Sequence, residues 1–180
     1  MSTDAAATNR LESMGLLLRA LKLPGFAQHA EQVAQTAERE GWSYGQFLHH
    51  LAELEVEERR ARRVEKYLKE SRLPAEKTLA TLDRSLLPGR VQKLMAALCS
   101  GDFIGRAENV LAFGLPGRGK THLLCGIGHE LIQRGHRVLF TPAYVLVQHL
   151  LAAKRDLRLE KHLTHLDRYD VVLLDDIGYV

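Results

Sequence analysis

The stretch from residue 114 to residue 121 has the residue types and spacing of a phosphate-binding loop. It reads Gly-Leu-Pro-Gly-Arg-Gly-Lys-Thr and fits the pattern G-x-x-x-x-G-K-[ST]. Its glycines permit backbone conformations in which successive N–H groups converge on phosphates. Lys120 is predicted to reach the β- and γ-phosphates of a nucleoside triphosphate, and the Thr121 hydroxyl to bind Mg²⁺. The predicted nucleotide-binding residues are Gly114, Leu115, Pro116, Gly117, Arg118, Gly119, Lys120, Thr121 and His122.

Two members of this set have a second interpretation. Arg118 stands at a loop position where small residues are common, so it either adds positive charge over the phosphates or points to solvent. His122 follows Thr121 on the first helical turn and either borders the nucleotide or packs there without a chemical role.

A pair of carboxylates follows an apolar stretch later in the chain. Residues 171–174 read Val-Val-Leu-Leu, and Asp175 and Asp176 come directly after them. Asp175 is predicted to hold Mg²⁺, directly or through water. Asp176 is predicted to be the general base that polarises the attacking water, and Lys120 is the other predicted catalytic residue. An Asp-Asp pair alone is commonly a solvated turn, but the upstream loop favours a triphosphate site.

These residues need strands and helices that hold them in place. A phosphate-binding loop follows a buried strand and opens a helix, and the apolar residues 109–113 and the segment from Lys120 to Arg134 fit those two elements. Strands that alternate with helices indicate a parallel α/β sheet. The other predicted elements are a strand over 137–141, helices over 144–155 and 157–166, and a strand over 170–177.

The part of the chain before the loop divides by composition. Residues 1–9 are small and polar, and we expect them to be disordered. Residues 10–71 show helical spacing of apolar side chains throughout, with no strand pattern, and form a predicted helical domain. Residues 72–108 form a connector, and residues 109–180 form the predicted domain that contains the triphosphate site.

Positive charge is concentrated in the middle of the chain. Residues 59–93 carry 11 basic and 4 acidic side chains, a balance of +7, whereas the whole chain has a net charge of +3. Such a segment indicates either an anionic partner such as DNA or a solvated helix face. The predicted contacts to DNA phosphates are Arg59, Arg62, Arg63, Lys66 and Lys69.

Composition also bounds the class of protein. The sequence has no apolar run of membrane-spanning length and no secretory signal, so we expect a cytoplasmic protein without a membrane partner. Cys99 and Cys125 are far apart and are predicted to be reduced core thiols. The two histidine pairs, 49–50 and 162/165, have no cysteine or acidic residues at metal-ligand spacing and are predicted to lie on the surface.

Six stretches of the chain have residues typical of one known family. Three surround the predicted site, and three lie in the helical part and the connector. They are residues 114–122, 134–138, 169–179, 21–25, 72–79 and 100–104.

Together these stretches resemble the IstB-like transposition helper ATPases, which are relatives of the DnaC helicase loaders within the AAA+ class. The resemblance implies an α/β P-loop fold with a parallel sheet flanked by helices, preceded by an all-helical N-terminal region. It implies that ATP and Mg²⁺ are bound and that DNA is contacted without sequence specificity. It also implies self-association into an oligomer and a transposase as partner. Leu115 and Arg118 depart from the family, which usually has Pro and a small residue there.

Two other functions share the same motifs. One is a helicase loader of the DnaC type acting in DNA replication, with a protein partner in place of a transposase. The other is a remnant that binds DNA or a partner without hydrolysing ATP. The helical stretches at the front favour the transposition branch.

The resemblance also implies that further strands follow the carboxylate strand in the family. One of them lies between the phosphate-loop strand and the Asp175 strand, and this sequence ends before it. We therefore expect a sheet truncated after the carboxylate strand, low stability, and weak or absent ATP hydrolysis. Phe103 and Ile104 are candidates for the wall of the adenine pocket.

Overall fold

The computed structural model describes residues 13–179. The chain forms two compact units that divide between Arg62 and Arg63. The predicted tail, residues 1–9, lies outside the described residues, as do residues 10–12 of the predicted helical domain. The domain limits drawn at 71 and 108 stay predictions.

The first unit contains helices whose ends follow from the sequence. Residues 13–20 are helical (α1), and α2 (Pro24–Glu40) has a proline in its first turn, where a missing N–H is tolerated. Gly41 ends α2 in the left-handed region at a φ of 68°. The third helix, α3 (Tyr44–Ser71), begins after Ser43 and continues into the second unit.

Ser43 and Gln46 form a capping box at the start of α3. The Ser43 hydroxyl accepts a hydrogen bond from the Gln46 N–H at 3.3 Å, and the Gln46 side-chain oxygen accepts from the Ser43 N–H at 2.8 Å. Each side chain thereby satisfies a backbone donor that the helix leaves without a partner. Ser43 is therefore the N-cap of α3.

A buried carboxylate holds the first turn of α2. Glu55 on α3 is only 3% exposed and accepts hydrogen bonds from the N–H groups of Gly25 at 2.6 Å and Phe26 at 3.2 Å. Arg59 donates to the same carboxylate at 2.7 Å. Burial raises the pKa of Glu55, but the hydrogen bonds from Arg59, Phe26 and Gly25 outweigh burial and lower the pKa below its ordinary value.

Glu55→Gln is expected to destabilise the first unit by about 2 kcal/mol at pH 7, because a charged acceptor of several hydrogen bonds is lost. The carboxylate contribution is complete above the unfolded pKa of about 4.5 and is lost as the pH falls through the lower folded pKa. Urea unfolding measured between pH 3 and pH 7 checks both expectations. Glu57→Gln, an exposed change on the same helix, is the control. Equal loss of stability in the two variants would contradict the proposed contribution of Glu55.

The second unit carries the parallel sheet. Strands β1 (Val138–Pro142) and β2 (Val171–Asp175) pair in parallel, with Val138 opposite Val171 and Pro142 opposite Asp175. The α-helices that follow α3 in this unit are α4 (Gly89–Ser100), α5 (Asp102–Gly105), α6 (Lys120–Gln133), α7 (Ala143–Arg155) and α8 (Leu159–Leu166).

The apolar core of the second unit lies between α4, α6 and β1. Leu131 and Ile132 of α6 are completely buried, and Val138 of β1 is 1% exposed. Partly buried side chains near the end of α3, among them Val64 and Leu68, pack against the same cluster. The α/β class with parallel strands and flanking helices, preceded by a helical region, is therefore confirmed.

The prediction of a strand over residues 109–113 is wrong. This segment has no regular secondary structure, and its apolar side chains are exposed, including Leu111 at 68% and Phe113 at 86%. A strand is held by hydrogen bonds to a neighbouring strand. Within residues 13–179, β1 and β2 pair only with each other, so segment 109–113 has no strand beside it.

The carboxylate strand is also shorter than the predicted range of 170–177. It ends at Asp175, because Asp176 adopts a left-handed conformation at a φ of 56° that no extended strand continues. Residues 177–179 form a 3₁₀ turn.

Candidate nucleotide-binding site

The phosphate-binding loop leads directly into the N-terminus of α6. Gly117 and Gly119 have φ values of 76° and 74°, a region that favours glycine because it has no Cβ. Gly119 is the residue that precedes the first helical turn, and Lys120 begins the helix. The free N–H groups of that first turn and the positive end of the helix dipole both favour the binding of an anion there.

Lys120 lies against its own loop. Its ammonium group donates hydrogen bonds to the carbonyl oxygens of Gly114 at 2.9 Å and Leu115 at 3.0 Å. The Arg118 side chain is exposed, and both interpretations of this residue stay predictions. The partly buried Lys120 is therefore bonded to two carbonyl oxygens of its own loop.

A hydrogen bond joins the two halves of the predicted site. The Thr121 hydroxyl on α6 donates to the Asp175 carboxylate at the end of β2, at 2.9 Å, across 54 residues of sequence. Both groups are hard oxygen ligands, which are the type that Mg²⁺ prefers. The residues present therefore fit a magnesium ion at the predicted position.

Asp176 lies beside this pair but differs from Asp175 in its surroundings. Its side chain is exposed, and its left-handed backbone turns the chain away from the strand direction. Strain of this kind in a residue other than glycine costs about 1 kcal/mol and is often found near functional sites. The assignment of Asp176 as general base stays a prediction.

His122 contacts the connector, which sequence reasoning did not foresee. Its Nε2 lies 3.0 Å from the Thr78 carbonyl oxygen and 3.0 Å from the Thr81 hydroxyl oxygen. Two turns later, His129 Nε2 lies 3.1 Å from the Pro74 carbonyl oxygen. The connector thus runs along α6 from its first turn to its middle.

Glycine allows this close approach. A Cβ on Gly126 would lie 2.6 Å from the Leu79 Cδ2 and 3.0 Å from the Leu79 backbone nitrogen. His122, Gly126 and His129 are spaced at i, i+4 and i+7, so they share one face of α6. That spacing was the available signal for a helix face that receives another part of the chain.

An apolar cavity of about 490 Å³ opens beside the loop. It is lined by several residues between 86 and 98, by segment 110–115, by Arg118 and Lys120, and by Leu123, Leu124 and Ile127 of α6. Phe103 and Ile104 pack against the core cluster and are not among its lining residues. Their place in an adenine pocket stays a prediction.

The residues predicted to contact DNA lie on α3 among acidic neighbours. Arg59 is paired with Glu55 at 2.7 Å, and Lys69 with Glu65 at 2.6 Å. Arg62 and Lys66 have longer pairs, at 3.6 Å with Glu55 and at 3.9 Å with Glu70, and Arg63 is exposed. DNA contact stays a prediction, and phosphates there would compete with glutamates of the same helix.

Burial affects the acidity of both cysteine thiols. Burial raises the pKa of Cys125 to about 11, and burial also raises the pKa of Cys99. In the described part of the chain, both cysteines are free, and no group of three or more histidine, cysteine or acidic side chains is placed to hold a metal ion. Among the helices of residues 13–179, none has the length and hydropathy to cross a membrane.

Comparison with known proteins adds the family relationship. Residues 16–180 match the model of the family described as IstB-like ATP binding protein. An insertion-sequence ATP-binding protein of Sinorhizobium fredii is 42% identical over 93% of this chain and 56% of its own length. An ATP-binding protein of insertion sequence IS21 from Pseudomonas aeruginosa is 37% identical over 94% of this chain and 64% of its own length.

A third relative gives the same result. The ATP-binding protein of insertion sequence IS5376 from Geobacillus stearothermophilus is 38% identical over 89% of this chain. The match covers 64% of that relative. The chain therefore spans between 56% and 64% of the length of these three relatives.

Proposed function

Because the chain belongs to the IstB-like ATP binding protein family, we propose that it binds ATP and uses that binding to assist a transposase on DNA. The observation that carries the proposal is the 2.9 Å hydrogen bond between Thr121 and Asp175. It brings the predicted phosphate loop and the predicted carboxylate strand to one place. The relatives named above are ATP-binding proteins of insertion sequences, which supports transposition as the setting.

Each residue of the site has a proposed task. The loop N–H groups and Lys120 bind the β- and γ-phosphates, and Thr121 and Asp175 hold Mg²⁺. That ion, when bound, neutralises charge on the phosphates. Asp176 orients a water molecule and accepts its proton.

The proposed partners follow from the charge pattern and the family. DNA is contacted without sequence specificity, and α3 supplies Arg59, Arg62, Arg63, Lys66 and Lys69 to its phosphates. The protein self-associates when ATP is bound, and the transposase of the same element recognises the assembly. The proposed location is the cytoplasm.

The test measures whether ATP and DNA binding are coupled. Fluorescence anisotropy of a labelled DNA duplex, with Mg·ATP, Mg·ADP or no nucleotide, is expected to give an affinity about fivefold higher with ATP. Lys120→Ala should remove that difference and leave the nucleotide-free DNA affinity unchanged. The transposase of the same element, immobilised on beads, should retain the chain only with ATP and DNA together.

Two outcomes would contradict the proposal. Equal DNA affinity in all three nucleotide states would remove the coupling between ATP and DNA. Tight ATP binding with no retention by the transposase would support nucleotide binding but contradict the proposed role in transposition.

A further inference from the structure

A second cavity, of about 360 Å³, lies in the second unit beside β1, α7 and α8. Four of its lining side chains carry or accept positive charge, namely Arg72, His149, His162 and His165. No aspartate or glutamate is among its lining residues. Four leucines form its apolar wall, and the hydroxyl-bearing Thr141 and Tyr169 complete it.

The side-chain periodicity of helices and strands explains why the lining residues of each element face the same cavity. His162 and His165 are three residues apart and share a face of α8. Leu146, His149 and Leu150 have the spacing of one face of α7. In β1, alternate residues point to the same side of the sheet, so Leu139 and Thr141 line the cavity together.

The end of α3 fixes the backbone of Arg72, whose side chain is exposed. Ser71 is completely buried, donates to the Leu68 carbonyl at 2.8 Å and accepts from the Leu73 N–H at 3.1 Å. Between these bonds Arg72 adopts a left-handed conformation at a φ of 60°, which is costly for a residue with a Cβ. Within residues 13–179, its guanidinium has no hydrogen bond or ion pair.

We propose that this cavity binds a small organic phosphate at a site separate from the phosphate-binding loop. An unpaired guanidinium is suited to phosphate oxygens, which it contacts through two parallel hydrogen bonds. Three histidine rings from two helices add further ring nitrogens. The Nδ1 of His162 lies 3.3 Å from the Arg158 carbonyl oxygen, so this ring would contact a phosphate through its Nε2. The leucine wall is suited to an apolar group attached to the phosphate, and the volume lies in the range of ligand pockets.

Phenyl phosphate is the probe, because it joins a phosphate to an apolar ring of suitable size. It is titrated into the full chain while the histidine ring signals are followed by NMR. We expect saturable shifts at His149, His162 and His165 and none at His49 or His50. Inorganic phosphate should bind more weakly, since it leaves the leucines uncovered, and phenol should not bind. The same shifts are expected in Lys120→Ala, whose phosphate-binding loop lacks its lysine.

Arg72→Met is expected to weaken phenyl phosphate binding about tenfold, because a charge-assisted hydrogen-bonding partner is removed. Arg90→Met, a change of the same kind outside the cavity, should leave the affinity unchanged. His162→Leu is a second variant, on a different element, that should also weaken binding. It gives an independent test of the proposal if Arg72→Met does not fold. Circular dichroism shows whether each variant is folded.

Three results would overturn the proposal. One is an unchanged affinity in folded Arg72→Met and His162→Leu. Another is inorganic phosphate or phenol binding as tightly as phenyl phosphate. The third is the disappearance of all shifts in Lys120→Ala, which would assign the binding to the phosphate loop.

Discussion

Lys120→Ala is expected to weaken Mg·ATP binding by about a hundredfold or more. The ammonium group of Lys120 would make two charge-assisted hydrogen bonds to phosphate oxygens, each contributing about 1.5 kcal/mol or more. Titration with a fluorescent ATP analogue measures the change in Kd. Arg118→Ala is the control in the same loop, and because the Arg118 side chain is exposed we expect its Kd to stay within about threefold.

The fold of the variant has to be checked together with its affinity. Lys120 also donates to the carbonyls of Gly114 and Leu115, so its loss relaxes the loop. Urea unfolding should show a loss of stability of no more than about 1 kcal/mol, because both bonds are exposed. Unchanged affinity for ATP in Lys120→Ala would refute the assignment of residues 114–121 as the phosphate site.

Gly126→Ala is expected to destabilise the second unit by about 2–3 kcal/mol. The added methyl group would lie 3.0 Å from the backbone nitrogen of Leu79 and 2.6 Å from its Cδ2, so the connector has to move away from α6. Urea unfolding of the full chain measures the effect on the free energy of unfolding.

Two further variants make this test specific. Gly128→Ala is a matched change on the same helix, and its closest neighbours are the terminal carbons of Leu173 and Leu73, which rotate more easily than backbone. We expect a smaller loss there, because these side-chain ends can move aside. The gain in helix propensity, up to about 1 kcal/mol, is common to both alanine variants. Leu79→Ala should cost less in Gly126→Ala than in the unmodified chain. Equal effects of Gly126→Ala and Gly128→Ala would contradict close connector packing.

Local rules predicted most of the elements. Pro24 in the first turn of α2, Gly41 at its end and Ser43 at the start of α3 are residue types that helices favour at those positions. The segment from Lys120 is a helix because its apolar side chains recur at helical spacing and a glycine precedes it. These features depend on residues a few positions apart, so the sequence alone contains enough information.

Segment 109–113 shows the limit of this reasoning. Its apolar pattern predicts a strand, but a strand also needs a partner, and no periodicity says whether one lies beside it. The sequence predicts that Thr121 and Asp175 belong to one site, because they lie in two motifs that act together. It does not predict the direct hydrogen bond between them, whose length is 2.9 Å. The path of the connector over Gly126 depends on residues 47 positions apart, Leu79 and Gly126, and no local rule gives it.

The two bonds from Lys120 to its own loop affect the thermodynamics of ligand binding. The lysine side chain has already lost much of its rotamer freedom, so a nucleotide need not order it, which lowers the entropic cost of association. The ammonium group, however, exchanges two carbonyl acceptors for phosphate oxygens, and the enthalpy gained is the difference between the two sets. Counting contacts in a bound complex would therefore overestimate the affinity, and calorimetry should show a smaller enthalpy than the number of phosphate contacts suggests.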